Sequence, residues 1–423
     1  MTRLDLIIFG ATGFTGSRAV LEMIRLSKKY PALTWGIAGR SEKKLEELKQ
    51  EATQKSGEDQ TNLKTFIADV SDEKSLRSMC EQARVVVNCC GPYRLYGEPV
   101  VKAAIESKTH YVDVSGEPEF MELMQLNYNE QAEDAGVYVI SACGFDSIPC
   151  DLGVIHLMKN FEGVLNSVES YITMRVAPEH AAEAARGGVL HYGTWESLVH
   201  SLANSHKLKP LRKQLYPSQL PSYKPKLCRR WYHRRDGAWC LPFLGADESV
   251  VHRTQRHLHA AGARPAQLRA YLALPSALQA ALLALGALLL YVLAQWSVTR
   301  RLLLDHPRLF SGGMATRRGP AEDVMLNTKF EVELVGSGWA AAADADVTEP
   351  DKKLVVKVSG SNPGYGATVT ALLISALTIL NEQHKMPKSG GVLTTGAAFK
   401  DTSIIDVLHE NGLKFDIVSD KKD

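Results

Sequence analysis

The chain has 423 residues, of which 45% are hydrophobic and 23% are charged, and its formal net charge is +2. This length suffices for roughly two or three domains, and the balanced charge gives no sign of nucleic-acid binding. The seven cysteines are scattered and form no C-x-x-C pair, which argues against a disulfide framework or zinc site and for a reducing compartment. The N-terminus reads as a strand rather than a leader peptide, so we expect the first domain to face the cytosol.

A glycine-rich turn follows the first predicted strand, Leu4–Phe9, and a predicted helix begins directly after the turn. The G-x-x-G-x-x-G spacing lets the main chain approach a pyrophosphate, which then lies at the helix N-terminus where free N–H groups favour negative charge. A second strand follows at the distance of one βα unit, and this context predicts dinucleotide binding rather than a plain tight turn. The predicted cofactor-binding residues of the turn are Gly10, Thr12, Gly13, Phe14, Thr15 and Gly16.

The end of the second predicted strand, Thr34–Ala38, indicates which dinucleotide is bound. Folds that bind NAD usually place an acidic residue here to hold the ribose 2′-hydroxyl. This chain instead has Arg40, followed by Lys43 and Lys44, so an arginine can bind a 2′-phosphate and no carboxylate repels it. The pattern favours NADP, with NAD as the alternative if these cations are only a solvated helix start.

Four more strands are predicted before about residue 150, and they alternate with helices. The helix after the second strand is predicted to be capped by Ser41 and to end at about Glu51, before a polar stretch, 52–62, predicted as a loop. The four strands lie at Leu63–Ala68, Arg84–Cys90, Tyr111–Val114 and Val137–Ile140. This alternation is typical of a doubly wound parallel Rossmann sheet, which we assign to a dinucleotide-binding domain over residues 1–150. Ligands of such sheets bind at strand carboxyl ends, which adds Asp69, Asn88 and Gly91 to the predicted cofactor-binding residues. Asp69 suits either the adenine edge or a cap of the next helix.

Two residues at predicted strand ends are candidates for proton transfer. Hydride transfer needs a group that manages a proton beside the nicotinamide. The predicted catalytic residues are Tyr93 and Asp146, although packing under the nicotinamide for Tyr93 and helix capping before Pro149 for Asp146 are the favoured roles. No S-x-x-x-Y-x-x-x-K pattern follows the fourth strand, and no metal site is predicted.

Beyond about residue 151 the pattern changes, with one segment of good strand composition followed much later by two segments that alternate apolar and polar residues. The three segments lie at Val168–Val176, Lys329–Val335 and Leu354–Val358. Alternation is typical of an antiparallel sheet with one wet face, so we assign residues 151–423 to a second, mixed α/β domain. Two helices, at about 367–380 and 401–410, and a strand at 413–418 complete the predicted α/β fold.

An uncharged apolar stretch, 272–296, has the length and composition of a membrane helix. Residues 224–269 before it carry ten Lys or Arg against three acids, and arginines mix with aromatics over 229–235, which suits an anionic membrane better than nucleic acid. If the strands on both sides of the stretch pair in one sheet, a spanning helix would separate them. We therefore predict a membrane-associating helix or hairpin, inserted at 224–301, which Pro275 and Gly286 allow to bend.

Seven short motifs occur in a specific order. They are GATGFTG at 10–16, AGR at 38–40, NCCGPY at 88–93, YVDVSGE at 111–117, GFDSIP at 144–149, GYGAT at 364–368 and GGV at 390–392. This set resembles the saccharopine dehydrogenase-like oxidoreductases of animals, relatives of saccharopine reductases and bacterial trans-acting enoyl reductases. The resemblance covers nearly the whole chain and is loosest over about 176–318. It implies a nicotinamide-dependent oxidoreductase, and the lipid-droplet association of the animal proteins agrees with the apolar stretch.

We therefore expect an NADP-dependent oxidoreductase at a lipid droplet or the cytosolic face of a membrane, acting on a small-molecule substrate that is lipid-related or amino-acid-derived. One alternative is a soluble saccharopine dehydrogenase of lysine metabolism, which is disfavoured because no clear cationic cluster outside the membrane flank would bind several carboxylates. The other is a non-catalytic nucleotide-binding scaffold at a membrane, which the missing catalytic signature keeps open. No nucleic-acid partner is expected, and a homodimer is compatible with the sequence.

Overall fold

The computed structural model describes residues 3–221 and 223–418 and is built around two seven-stranded sheets. Strands and helices alternate regularly in the N-terminal part. These elements are β1 (Leu4–Phe9), α1 (Phe14–Ser27), β2 (Trp35–Gly39), α2 (Glu42–Ser56), β3 (Lys64–Ile67), α3 (Glu73–Cys80), β4 (Ala83–Asn88), α4 (Tyr93–Glu106), β5 (His110–Asp113), α5 (Pro118–Ala135), β6 (Tyr138–Ile140) and α6 (Ile148–Asn160).

The six strands of this part pair in parallel in the order β3-β2-β1-β4-β5-β6, the strand order of a dinucleotide-binding Rossmann sheet. Nearly all residues of β1 and β4 are buried, which explains why these strands are apolar on both faces. The predicted N-terminal Rossmann sheet is therefore confirmed. Its ligand crevice lies at the carboxyl ends of β1 and β4, where the strand order reverses.

Helix α2 extends further than the sequence predicts. It begins after Ser41, whose hydroxyl accepts a hydrogen bond from the Lys44 N–H as an N-cap. Residues 52–56, expected in a loop, continue the helix, which ends at Gly57 in the left-handed conformation. Their polarity marks the solvent-exposed face of a helix, supported by an i,i+4 ion pair, rather than a break.

The remaining elements form the second sheet and the layers around it. They are β7 (Val164–Val176), α7 (Ala181–Gly187), β8 (Leu190–His191), α8 (Tyr192–Asn204), α9 (Leu208–Leu215), β9 (His233–Arg235), β10 (Ala238–Pro242), α10 (Asp247–Ala260), β11 (Gln267–Leu274), α11 (Ala277–Ala294), α12 (Ser297–Asp305), α13 (Pro307–Phe310), β12 (Ala315–Thr316), α14 (Glu322–Leu326), β13 (Thr328–Trp339), β14 (Lys352–Ser361), α15 (Thr368–Glu382), β15 (Gly391–Leu393), α16 (Thr395–Phe399), α17 (Ile404–Glu410) and β16 (Lys414–Val418). Short 3-10 or π turns lie at Pro178–His180, Ser205–Lys207, Ala342–Asp344, Pro363–Ala367 and Gln383–Lys385.

The second sheet is mixed and has the order β16-β14-β13-β7-β11-β10-β9. The β7–β11 pair is parallel, and the other neighbouring pairs are antiparallel. The three strands predicted for the second domain are adjacent in this sheet as β7, β13 and β14. The predicted second, mixed sheet is therefore confirmed.

The two sheets do not divide the chain at one point. Strand β15 pairs with β6 and completes the first sheet, so the C-terminal part of the chain returns to the Rossmann domain. The predicted insertion at 224–301 contributes β9, β10 and β11 to the second sheet, and its helices α10, α11 and the start of α12 are not part of that sheet. One hydrophobic core joins both halves, and it includes Leu6 of β1, Leu334 of β13 and Leu372 of α15.

Helix α11 is apolar and almost wholly exposed. Of its 18 residues, 11% are buried, and these are Ala280 and Ala294. The helix runs unbroken through Gly286, so the bend expected there is not present. The predicted apolar stretch also begins too early, because residues 272–274 belong to β11 and pair in the second sheet.

The chain leaves the second sheet through β11 before α11 and re-enters it through β13, and both strands pair with β7. This confirms the strand pairing on which the prediction of a non-spanning helix depends. A second helical stretch, Pro363–Lys385, is also long and apolar enough to cross a membrane by length and composition, but 78% of it is buried. It is the core helix α15 with its flanking turns.

Candidate cofactor site and active site

The glycine-rich turn joins β1 to α1 at the carboxyl edge of the first sheet. Gly10 has a φ of +76°, and a Cβ on it would lie 2.6 Å from the Sγ of Cys90. A Cβ on Gly16 would lie 2.1 Å from the Gly10 carbonyl oxygen, so the first turn of α1 can pack here only without a side chain. Gly13 is different, because it is exposed and a Cβ on it would meet only that same oxygen, at 3.2 Å. The turn therefore has two glycines that the fold requires and one whose bare face is open to a ligand.

Helix α1 begins at Phe14, so the N–H groups of its first turn have no intrahelical acceptors. The cap residue Gly13 provides no side-chain hydrogen bond to them. Thr12 is exposed and Thr15 is half-buried beside this helix end. Free N–H groups and a bare backbone are the features that bind a pyrophosphate, so the residues present fit a dinucleotide.

The predicted adenosine end of the site contains Arg40 and Asp69. Arg40 is exposed directly after β2, as a group that binds a 2′-phosphate must be. The Asp69 carboxylate accepts hydrogen bonds from the N–H and hydroxyl of Ser71, which lower its pKa together with the nearby Arg40 charge. The alternative role of Asp69 as a helix cap is wrong, since Asp72 caps α3. Binding of the adenine by Asp69 stays a prediction.

Asn88 and Tyr93 shape the turn after β4. The Asn88 side chain is fully buried, where its amide donates to the Tyr111 hydroxyl at 3.0 Å and its oxygen accepts from the Cys90 N–H at 2.9 Å. The Tyr93 hydroxyl donates to the Asn88 carbonyl at 3.0 Å, and burial raises the pKa of Tyr93 well above its usual value. Both side chains are thus occupied, which favours positioning roles, whereas Gly91 lies exposed above them.

A buried carboxylate that sequence reasoning missed ties the ends of β5 and β6 together. Asp113 accepts hydrogen bonds from the hydroxyls of Tyr111 and Ser141, at 2.8 and 2.9 Å, and from the N–H groups of Ser115 and Ala142. Burial raises the pKa of Asp113 to about 6 despite these bonds. The available signal was a lone carboxylate at the end of an apolar strand, which requires partners when it is buried.

Asp146 is the candidate catalytic residue that the geometry favours. Its carboxylate has no hydrogen-bond donor within the described part of the chain, and burial raises the pKa of Asp146. The expected capping role is wrong, because α6 begins after Ser147 and has no side-chain cap. A Cβ on Gly116 would lie 2.9 Å from the Asp146 Oδ2, so a glycine leaves room for this carboxylate. An unpaired, desolvated carboxylate of this kind is typical of a general acid or base.

Residues from distant parts of the chain cover the glycine-rich turn. The Phe14 ring stacks on His191 with 4.2 Å between centroids and meets the edge of Tyr365 at 4.8 Å. The guanidinium of Arg18 lies 3.7 Å from the Phe14 centroid, and a Cβ on Gly319 would lie 2.7 Å from the same ring. Sequence reasoning did not find this cover, because partners separated by more than a hundred residues leave no local pattern.

The predicted basic belt at 229–235 is largely neutralised. Arg229, Arg230 and Arg235 form ion pairs with Glu248, Glu169 and Glu333, respectively. The charge of the belt is therefore mostly compensated, and residues 233–235 form β9 of the second sheet. Its aromatic members stay exposed, since Trp231 and Tyr232 face solvent.

A parallel Rossmann sheet with a bare glycine turn, covered by residues from distant parts of the chain, defines the class of NAD(P)-dependent oxidoreductases. Residues 6–140 match the family model described as the saccharopine dehydrogenase NADP binding domain. The chain is 39% identical over 424 residues to the saccharopine dehydrogenase-like oxidoreductase of Rattus norvegicus, covering 98% of this chain and 97% of that protein. The chain belongs to the saccharopine dehydrogenase-like oxidoreductases. The predicted family, enzyme class and NADP cofactor are thereby confirmed.

Two further comparisons add to this. A Caenorhabditis elegans protein called lipid droplet localized protein is 38% identical over 431 residues, covering 99% of each chain. The solved structure of apo saccharopine dehydrogenase (L-Glu forming) from Saccharomyces cerevisiae aligns with a TM-score of 0.54 at 16% identity, covering 98% of this chain and 100% of that one. At this identity the alignment establishes a shared fold and leaves the substrate open.

Proposed function

We propose that the chain is an NADP(H)-dependent oxidoreductase that works at a lipid-droplet surface or at the cytosolic face of a membrane, on a lipid-related or amino-acid-derived substrate. The observation that carries the proposal is the exposed apolar face of α11, on the same chain as an intact dinucleotide turn. The lipid-droplet name of the C. elegans relative supports the location.

The apolar face of α11 is a continuous stripe. Leu278, Leu282, Leu285 and Leu289 follow at helical spacing and are 56–67% exposed. Moving such leucines from water to a lipid phase is worth roughly 1.5–3 kcal/mol for each fully transferred side chain, so the stripe supplies about 4–7 kcal/mol. A patch of this size is costly to leave in water and is typical of a membrane or partner surface.

The proposed insertion is monotopic. The helix is about 27 Å long at the usual rise per residue, which is close to the thickness of a hydrocarbon core. However, the chain enters it from β11 and returns to β13, and both strands pair with β7. A helix that leaves and rejoins one sheet is best accommodated lying in one leaflet or in the monolayer of a droplet.

The proposed catalytic arrangement assigns one task to each region of the crevice. Bound NADPH would supply the hydride. The turn from Gly10 to Gly16 would hold its pyrophosphate, and Arg40 would bind the 2′-phosphate. Asp146 would transfer the proton at the substrate, since its carboxylate is desolvated and unpaired.

Fractionation of cells that express the full chain tests this function. We expect the protein in the droplet or membrane fraction, and its C-terminus should be accessible to protease from the cytosolic side. Replacing the four stripe leucines with serine should release it while NADPH affinity is unchanged. A control replaces four solvent-exposed lysines of other helices, Lys55, Lys74, Lys209 and Lys213, with serine. Retention of the stripe variant on droplets, or a C-terminus shielded from protease, would contradict the proposed location.

A second assay separates the enzyme from a nucleotide-binding scaffold. NADPH oxidation is followed with a panel of lipid carbonyl, enoyl and imine substrates, with the Asp146→Asn variant alongside. Turnover that depends on Asp146 supports the oxidoreductase. NADPH binding without turnover on any member of the panel would favour the scaffold.

A further inference from the structure

A cavity of about 1230 Å³ opens beside the C-terminal end of α12, the helix that follows α11. It lies between the C-terminus of α7, helix α13 and the turn after β12. Its charged lining residues are Arg186, Asp305, Arg308, Arg317 and Arg318. The pyrophosphate turn lies next to one wall, because Gly319 of this lining packs against the Phe14 ring.

The charges in this cavity are strongly unbalanced. Asp305, the one acid among these lining residues, already faces Arg301 at 3.7 Å. Within the described residues, no ion pair or hydrogen bond is formed by the side chains of Arg186, Arg308 or Arg318. Arginines that converge on one cavity without a counter-charge create a positive potential that attracts an anion.

Arg317 is held in place by neutral partners. Its guanidinium donates to the Leu304 carbonyl at 3.2 Å and lies 4.6 Å from the centre of the Tyr192 ring. Neither contact neutralises its charge, although Arg317 also acts on Glu196, where it opposes the rise in pKa that burial causes. No ion pair joins Arg317 to a described carboxylate, so it is positioned at the cavity with charge available to a ligand.

The cavity also borders exposed apolar surface. Leu309 lines it and is 73% exposed, and Val298 of α12 is equally exposed nearby in the chain. Residues 297–318, which we call the arginine segment, follow α11 directly and contain five arginines and one acid. Cations and exposed apolar side chains that follow an apolar helix are the combination found where a protein meets lipid headgroups.

We propose that this cavity binds the phosphate group of an anionic phospholipid, with Arg308, Arg317 and Arg318 as its ligands. The inference deepens the proposed function, since it rests on docking to a lipid surface through α11. Planar guanidinium groups match phosphate oxygens in a bidentate manner, and several forks can share one headgroup. Leu309 and the stripe of α11 then lie along the acyl chains, so the headgroup site sets the orientation of the crevice towards the surface.

Vesicle flotation with the purified full chain tests the proposal. The probes are neutral phosphatidylcholine vesicles and vesicles that also contain phosphatidic acid. We expect the anionic vesicles to bind more tightly. The variant Arg308→Gln, Arg317→Gln and Arg318→Gln should lose about a hundredfold in affinity for them, as about three headgroup contacts predict, and keep its affinity for neutral vesicles.

The matched control removes the same charge outside the cavity. It combines Lys213→Gln, Lys226→Gln and Arg234→Gln, three exposed cations. This control should retain most of the preference for anionic vesicles, and both triple variants should bind NADPH and melt like the parent. Equal losses of affinity for anionic vesicles in the two variants would mean that these vesicles attract the protein through its overall positive charge, and would overturn the proposed headgroup site.

Two further outcomes distinguish this inference from the proposed function. Binding to neutral vesicles without any gain from phosphatidic acid would overturn the headgroup site alone. Binding to neither kind of vesicle would contradict the proposed function as well. If inorganic phosphate or NADPH occupies the arginine cavity in a direct titration while the vesicles show no anionic preference, the ligand is a soluble phosphate compound and the lipid source is wrong.

Discussion

The three glycines of the cofactor turn differ in what a side chain would meet there. At Gly10 and Gly16 a Cβ would collide with the Cys90 sulfur or with the Gly10 carbonyl oxygen, whereas at Gly13 it would meet only that oxygen, at 3.2 Å. A substitution at Gly13 should therefore act on the ligand, and one at Gly16 on the fold.

We expect Gly13→Leu to fold normally and to bind NADPH at least about tenfold more weakly, because the side chain occupies the pyrophosphate position. Gly16→Ala should instead destabilise the protein by about 1–3 kcal/mol, since the turn or α1 must move. Isothermal titration and chemical denaturation of both variants measure the difference. Unchanged NADPH affinity in a folded Gly13→Leu protein would remove the basis of the assigned cofactor site.

Asp146 should be needed for turnover and dispensable for folding. Its carboxylate is unpaired and burial raises its pKa, so the neutral isostere removes no hydrogen bond to the described residues. We expect Asp146→Asn to lower kcat by about 10²–10⁴ while NADPH affinity and melting temperature are retained. In the reductive direction the rate should fall as the pH rises through the raised pKa, because the acid form donates the proton. Full activity of the variant would assign the proton transfer to another group.

Asp113 should make stability depend on pH. Burial raises its pKa from 3.8 to about 6, so the folded state binds this proton more tightly than the unfolded state. Its contribution is complete below about pH 4 and is lost as the pH rises through about 6, a loss of up to about 3 kcal/mol. Denaturant unfolding at a series of pH values should give a shallower decline for Asp113→Asn. The decline should not vanish, since burial also raises the pKa values of Asp151 and Asp247. Parallel curves for the variant and the parent would contradict this assignment.

Among the elements, α11 and α15 show that helices of similar apolar composition can differ in how much of them is buried. Both are long and apolar enough to cross a membrane, yet 11% of one and 78% of the helical stretch containing the other are buried. Helix α15 contacts α1, β4 and β5, whereas the contacts of α11 are with α8, α12 and the ends of β10 and β11. Composition alone does not separate a buried core helix from an exposed surface helix.

A pair of leucines tests this difference. Leu285 of α11 is exposed, and its replacement by asparagine should change the free energy of unfolding in lipid-free buffer by no more than about 0.5 kcal/mol. Leu372 of α15 is fully buried, and Leu372→Ala should cost about 2–5 kcal/mol through the cavity that it leaves. Equal costs, measured by denaturant unfolding, would mean that α11 packs into the protein in solution.

At the scale of the whole molecule, the bound cofactor should stabilise the fold. The glycine-rich turn that would hold it packs through Phe14 against His191 and Tyr365, which come from distant parts of the chain. NADPH at a hundred times its Kd should raise the free energy of unfolding by about 2.7 kcal/mol.

Arg40→Ala should weaken NADPH binding about tenfold or more and leave NADH binding unchanged, since only NADPH carries the 2′-phosphate. Lys43→Ala serves as the control, and thermal melting with each nucleotide is the measurement. Equal effects of Arg40→Ala on the two nucleotides would show that Arg40 does not read the phosphate.

Sequence reasoning succeeded where the responsible interactions are local. The strand-turn-helix with its glycines, the strand patterns of β7, β13 and β14, and the Ser41 cap each depend on residues within a few positions of one another. It failed at α2, where polar residues on a solvent-exposed helix face have the composition of a loop. It also did not show that three arginines of 229–235 are ion-paired, because an arginine in the sequence does not reveal its glutamate partner.

The order of residues by itself determined the Rossmann strand pattern, the NADP-type strand end and the presence of an apolar stretch, since periodicity and turn chemistry act over one or two turns of chain. Only the tertiary structure decided which carboxylates are paired, so that Asp113 is bonded on both oxygens and Asp146 is not. It alone brought Gly319 and His191 onto Phe14, returned β15 to the first sheet and left α11 uncovered. These outcomes depend on contacts between distant segments, whose free energies are set by packing and desolvation in three dimensions and leave no periodic trace in the chain.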